Sequence, residues 1–137
     1  MTRRSRAREV ALQLLFERDH NLRVDPEAIK RFIKNRLRDR DLQPFCQSLY
    51  EGVVANLDEI DRRLAEAAEN WRLPRMATVD RNSLRIGAYE ILYTPETPAS
   101  VALDEAIEMA RRYGSAESAA FVNGVLDKLR QNQIPQT

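Results

Sequence analysis

Cysteine and histidine are almost missing from this sequence: Cys46 and His20 are the single representatives in 137 residues. One cysteine cannot form an internal disulfide, and with one histidine it offers no cluster of zinc ligands. It also lacks a good activating base, because His20 falls where a helix ends and reads as a solvated loop residue. Cys46, beside Phe45, reads as a small packing residue. Glycine is scarce and scattered at positions 52, 87, 114 and 124, so no glycine-rich loop can cradle a phosphate. No apolar run approaches the roughly 20 residues that a membrane-spanning helix needs. No short apolar stretch with a small-residue cleavage site follows the basic start, so no signal peptide is expected. These absences together point to a cytoplasmic protein. A net charge of +1 excludes coating of nucleic acid by bulk electrostatics. Alternating β-branched runs are absent as well, which leaves helices as the building material.

What is present repeats at helical spacing. Ala7, Val10, Ala11, Leu14 and Leu15 mark one stripe of a helix over Arg4 to Arg18. Asp25 followed by Pro26 is a capped start with proline in the first turn, and Ala28, Ile29, Phe32, Ile33 and Leu37 form that second helix's apolar side. Its other side is basic, with Lys30, Arg31, Lys34, Arg36 and Arg38. Phe45, Leu49, Val53, Leu57, Ile60 and Leu64 predict one long third helix, capped by Asp41 and running to Glu69. Trp71, Leu73, Pro74 and Met76 form a short apolar bend. Thr78 caps a fourth helix, Val79 to Tyr93, in which Gly87 lets another helix come close. The segment from Thr94 to Pro98 cannot be regular helix. A fifth helix follows over Val101 to Tyr113; Gly114 ends it, and Ser115 caps a sixth that reaches Arg130. The reading is one all-α domain over residues 1–137, with a basic arm at 1–8 and a flexible tail at 131–137.

Charge placement carries the remaining information. Arg3, Arg4, Arg6 and Arg8 precede the first acid, Glu9. Arginine's planar fork suits phosphate oxygens, so a frayed arginine arm leading into a rigid helix suits a nucleic-acid backbone, although a solubilising tail has the same composition. Four phosphate contacts to a single strand give a salt slope of roughly −3. Phe121 lies at one edge of the stripe Val122, Val125 and Leu129, where it either packs in the core or stacks on a base. Asp58, Glu59 and Asp61 read as a solvated helix face. Glu90 and Glu105 lie close to apolar stripes and read as structural ion-pair partners, for Arg85 or Arg112, rather than as catalytic acids.

Six strings in order resemble the NusB family over almost the whole chain. They are Arg4-Ser5-Arg6-Ala7-Arg8-Glu9-Val10-Ala11-Leu12-Gln13; Gly52-Val53 with Ile60-Asp61; and Trp71, Leu73-Pro74-Arg75-Met76 and Val79-Asp80-Arg81. Leu84-Arg85-Ile86-Gly87-Ala88-Tyr89-Glu90 and Glu105-Ala106-Ile107-Glu108-Met109-Ala110 with Tyr113-Gly114 follow. The last is Phe121-Val122-Asn123-Gly124-Val125-Leu126-Asp127-Lys128.

The resemblance implies a compact bundle of six to seven helices in two three-helix halves. It implies an antitermination factor that binds the boxA element of ribosomal RNA leader transcripts together with NusE, a small-subunit ribosomal protein. Other Nus factors and RNA polymerase are implied as indirect partners, and no catalysis or cofactor is implied. Homodimers are possible. Carried over by position, Arg4, Arg6 and Arg8 fall on basic positions of the family motif and, with Arg3, make an RNA-binding arm; Ser5 stands where a further arginine is often found. Glu117, Ser118 and Phe121 resemble a second RNA-contacting patch, and Asp80 and Ser83 resemble the surface that meets NusE. Two rival readings share these features: a helical scaffold that binds only proteins, and a stand-alone relative of the NusB-like domain of RNA cytosine methyltransferases.

Overall fold

A computed structural model describes residues 3–21, 25–69 and 72–133. Trp71, the first two residues of the arm and the tail from position 134 lie outside the described residues. Among the described residues there are seven α-helices and no strand: α1 (Arg3–His20), α2 (Pro26–Arg36), α3 (Gln43–Ala55), α4 (Leu57–Ala68), α5 (Thr78–Tyr93), α6 (Ala99–Tyr113) and α7 (Ser118–Gln133). A 3₁₀ turn, Leu73–Arg75, connects α4 to α5. Its Leu73 and the following Met76 are buried, as an apolar bend requires.

The bundle divides as expected from three-helix packing. Helices α1, α2 and α3 touch one another, and α5, α6 and α7 form a second mutually packed set. Contacts of α5 with α1 and α3, and of α4 with α5 and α7, join the sets. One contiguous core results, running from Val10 and Leu14 through Leu49, Val53, Ile60 and Leu64 to Leu84 and Leu126. Gly87 sits at a tight crossing: a Cβ there would lie 2.6 Å from Leu126 Cδ1 and 3.0 Å from Ala106 Cβ.

Several sequence expectations need correction. The long third helix is two helices, broken at Asn56, whose backbone leaves the helical region at φ −114° and ψ 20°. Its backbone N–H and its side-chain amide both donate to the Gly52 carbonyl, at 3.1 and 2.8 Å, so Asn56 closes the last turn of α3. Asp41 does not cap α3; its backbone N–H instead donates to the Asp39 carboxylate. Thr78 is the first residue of α5 and supplies no side-chain cap. By contrast, the Asp25 carboxylate accepts from the Glu27 N–H at 3.1 Å, with Pro26 in the first turn.

Helix α1 differs most in kind. Its predicted stripe is buried, but so are Leu12, Arg8 and Glu9, so its first half is enclosed on nearly every side. The basic segment is ordered helix from Arg3 onward and not a frayed arm.

Candidate nucleic-acid interface

The first turns of α1 divide four arginines among four environments. Arg4 is exposed, with its guanidinium carbon 4.5 Å from the centre of the Phe45 ring. Arg6 is exposed, 3.4 Å from a Glu9 oxygen. Arg3 is exposed and bound to Asp39, with Nε donating at 3.1 Å. That contact and Asp41 at 3.9 Å draw the loop after α2 against the start of α1.

Arg8 is only 2% exposed. Its Nε and Nη2 donate to the two oxygens of Glu90 at 2.7 and 2.9 Å, and Nη1 lies 3.4 Å from Glu105. Phe45 lies beneath this guanidinium as well, at 5.3 Å. Arg8 therefore leaves the predicted phosphate-contacting set, because its donors face two carboxylates inside the protein. Glu90 and Glu105 are structural ion-pair partners as expected, but of Arg8. The proposed partners are engaged elsewhere: Arg85 binds Asp61 and Asp19, and Arg112 binds Glu9. Asp61, expected on a solvated face, is thus half-buried in an ion pair.

Other bonds fix the same end of α1 to α6. The Ser5 hydroxyl faces both Glu105 oxygens, at 2.7 and 2.8 Å. Glu9, also buried, accepts from Arg112 Nη1 at 2.8 Å and from the Tyr113 hydroxyl at 2.5 Å. The bond to Glu9 is the main reason that the Tyr113 phenol is pushed above its ordinary pKa; burial and the Glu9 charge add to it. A groove of about 460 Å³ runs along this junction, between Ser5 and Glu9 on α1 and Asp104, Glu108 and Met109 on α6.

The second predicted patch is split. At the start of α7 Glu117 is exposed, and Phe121 is half-buried against the core rim. Ser118 faces inward, 1% exposed, and its hydroxyl oxygen accepts from the Ser115 N–H at 2.9 Å. Ser115 and Ser118 thus cap the helix start, which removes Ser118 from the predicted RNA-facing set. Gly114 makes this turn possible, since a Cβ there would lie 2.4 Å from the Ser118 hydroxyl oxygen.

The predicted partner surface divides in the same way. Asp80 is half-buried near the start of α5, whereas Ser83 is fully buried and cannot meet a partner docked on this surface. Beside them Arg81, Asn82 and Arg85 converge on Asp19, with contacts of 2.9, 2.9 and 3.2 Å. Burial pushes the Asp19 carboxyl up, but bonds from Asn82 and Arg81 and the charges of Arg85 and Arg81 outweigh it and hold the pKa below its ordinary value. Burial likewise pulls the Arg85 guanidinium down, and its bonds and charge interactions with Asp61 and Asp19 more than compensate.

His20 stacks on Phe16 at the end of α1, and Cys46 is fully buried. Burial pushes the Cys46 thiol up to about 12. Among the described residues no group of three His, Cys, Asp or Glu side chains could hold a metal ion, and no helix is long and apolar enough to cross a membrane.

Sequence reasoning missed Glu9 and Tyr113, which with Arg112, expected in an ion pair but not with Glu9, hold α1 in place. One signal was available for Arg8: it shares a helical row with Ala11, Leu12 and Leu15 at spacings of three, four and seven, so it lies on a buried face.

Comparison with known proteins agrees with this architecture. The model of the NusB family matches residues 5–131. The chain is 46% identical over 129 residues to the transcription antitermination protein NusB of Desulfatibacillum aliphaticivorans, covering 94% of this chain and 90% of that one. It is 45% identical over 132 residues to the protein of that name from Sorangium cellulosum, covering 96% and 94%. A structure of T. maritima NusB superposes with a TM-score of 0.84 at 33% identity, covering 98% and 94%. A chain from a crystal structure of antitermination factors NusB and NusE with double-stranded RNA shares the fold, with a TM-score of 0.86 at 22% identity, covering 96% and 98%.

Proposed function

The chain belongs to the NusB family, and on that premise we propose that it is a transcription antitermination factor acting by binding and not by catalysis. It binds boxA RNA of ribosomal RNA leader transcripts jointly with NusE, in the cytoplasm, and so keeps RNA polymerase from terminating prematurely. The observation that carries this reading is the rigid presentation of Arg4 and Arg6. Both are exposed on a helix whose neighbouring turns are fixed by Arg8–Glu90, Ser5–Glu105 and Glu9–Arg112.

The roles follow from exposure. Arg4 and Arg6 hold phosphates, and Arg3 joins them by leaving Asp39. These contacts position the strand and carry no sequence information. The half-buried ring of Phe121 offers an edge on which a base stacks, and Glu117 can accept from a base amino group. Asp80, near the start of α5, belongs to the NusE-facing surface. Arg8 acts through the helix, as a positioning residue.

Fluorescence anisotropy of labelled boxA RNA, titrated with the protein alone and with NusE, tests the proposal. Tighter binding with NusE, lost in Arg4→Ala/Arg6→Ala and on scrambled RNA, is expected. With Arg8 withdrawn, the arm has three possible contacts, so its salt slope is about −2. Absence of binding with NusE present would refute the proposal and leave a protein-binding scaffold.

A further inference from the structure

Positive charge is concentrated in a second stretch of the chain besides the arginine arm. Residues 26–41 contain six cations (Lys30, Arg31, Lys34, Arg36, Arg38 and Arg40) against three carboxylates, whereas the whole protein carries only +1. The three acids are partly spoken for. Asp39 and Asp41 face Arg3, and Glu27 lies 3.7 Å from Lys30. Arg36 is folded over the Phe32 ring, 3.7 Å from its centre.

That leaves Arg31, Lys34, Arg38 and Arg40. All four are exposed, and none has a carboxylate partner among the described residues. On α2 the core side is Ile29, Phe32 and Ile33, and a turn of roughly 100° per residue puts Arg31 and Lys34 on the opposite side. Arg38 and Arg40 continue from the end of α2 into the loop that Arg3 holds against the start of α1. The outer face of α2, this loop and the first turn of α1 therefore form one cationic track.

We propose that this track carries the single-stranded RNA that flanks boxA, through its phosphates. The inference rests on the boxA reading above and extends it: Arg4 and Arg6 anchor the element, and Arg31, Lys34, Arg38 and Arg40 hold the strand beyond it. RNA suits the surface better than an acidic protein, because these exposed cations follow one another along α2 into the loop that Arg3 ties to the start of α1. Phosphate contacts of this kind do not depend on base sequence.

The test uses the protein with NusE and two labelled RNAs, boxA alone and boxA extended at both ends by unpaired uridines. The variant is Arg31→Gln/Lys34→Gln/Arg38→Gln/Arg40→Gln, all at exposed positions. Wild type should bind the extended RNA more tightly and with a steeper salt slope. The variant should lose this increment and leave binding of boxA alone unchanged. At about 0.7 per single-strand contact, four contacts change the slope by nearly 3, or about 50-fold in affinity between 50 and 200 mM salt. Replacing the flanking uridines with cytidines should leave the increment intact. Equal binding of both RNAs by wild type, or full retention of the increment by the variant, would overturn the inference while the boxA reading stands. A loss on boxA alone as large as that on the extended RNA would also overturn it, by assigning these cations to the primary site. Failure of wild type to bind either RNA would remove both.

Discussion

Separating Arg8 from Glu90 should destabilise the protein more than any exposed charge change. Both side chains are at most 3% exposed, and two parallel hydrogen bonds of 2.7 and 2.9 Å join them. Removing one member of such a buried pair leaves an uncompensated charge and costs about 3–5 kcal/mol. The two single substitutions differ in what remains. Glu90→Leu leaves Arg8 with Glu105 at 3.4 Å, so its cost falls near 3 kcal/mol, at the low end of that range. Arg8→Met leaves Glu90 with no cation in reach among the described residues, so its cost falls near 5 kcal/mol. In a chain of 137 residues, about 3 kcal/mol lowers Tm by roughly 10 °C. The double variant removes both charges and fills the space with apolar atoms, so it should fall within about 1–2 kcal/mol of wild type. Urea denaturation followed by circular dichroism on all four proteins gives the cycle. Singles that each cost under about 1 kcal/mol, or a double equal to their sum, would refute the assignment of a coupled interior pair.

Four further outcomes concern other parts of the bundle. Because the folded pKa of Asp19 lies below its ordinary value of 3.8, its contribution is present above that pH and lost as pH falls through the folded pKa. Plots of Tm against pH for wild type and Asp19→Asn should therefore be separated at neutral pH and converge in acid; a constant separation would contradict the ion-pair account. With its thiol raised to about 12 and fully buried, Cys46 should resist alkylation by iodoacetamide at pH 8 in the native protein and react only in denaturant, as mass spectrometry would show. Gly87→Ala gains about 1 kcal/mol of helix propensity but forces a Cβ against Leu126 and Ala106, so overpacking of about 1–3 kcal/mol should leave it destabilised. Gly124→Ala meets no atom within 4 Å and should be stabilised by up to about 1 kcal/mol, which thermal melts of the two variants would compare directly.

Helical periodicity exposed most of the fold. Val10, Leu14, Leu49, Leu64, Leu84 and Leu126 all lie in the core at the positions their spacing requires. Periodicity did not reveal the break at Asn56, because the apolar row Leu49, Val53, Leu57, Ile60 continues across it in register. The break shows only in the backbone of Asn56, at φ −114° and ψ 20°, with its side chain bonded to the Gly52 carbonyl. The site was less legible for a related reason. A charged residue is read as surface unless something pairs it; the row shared with Ala11, Leu12 and Leu15 marks the face of Arg8 as buried, but nothing local names its partner Glu90, 82 positions away. Ser83 and Ser118 illustrate the same limit with hydroxyls, both placed on interaction surfaces by position and both turned inward.

On the proposed reading, the division of the arginines bears directly on how strongly this protein would hold RNA alone. Four adjacent cations suggest a field, but the fold uses Arg8 to lock α1 onto α5 and α6 and Arg3 to bring in the loop after α2. Arg6 is tempered by Glu9 at 3.4 Å, which leaves Arg4 as the cation of the four without a carboxylate partner among the described residues. A phosphate must then compete with Asp39 for Arg3 and with Glu9 for Arg6, so each contact contributes less than one to a bare arginine. Weak intrinsic affinity would be the consequence, and on the proposed reading joint binding with NusE, or the phosphate contacts proposed along α2, would supply the rest. The same competition affects specificity. On the proposed reading, nonspecific RNA, with only phosphates to offer, would gain little here, while an RNA that also stacked on Phe121 and met a partner would gather the contacts needed to compete with the internal carboxylates.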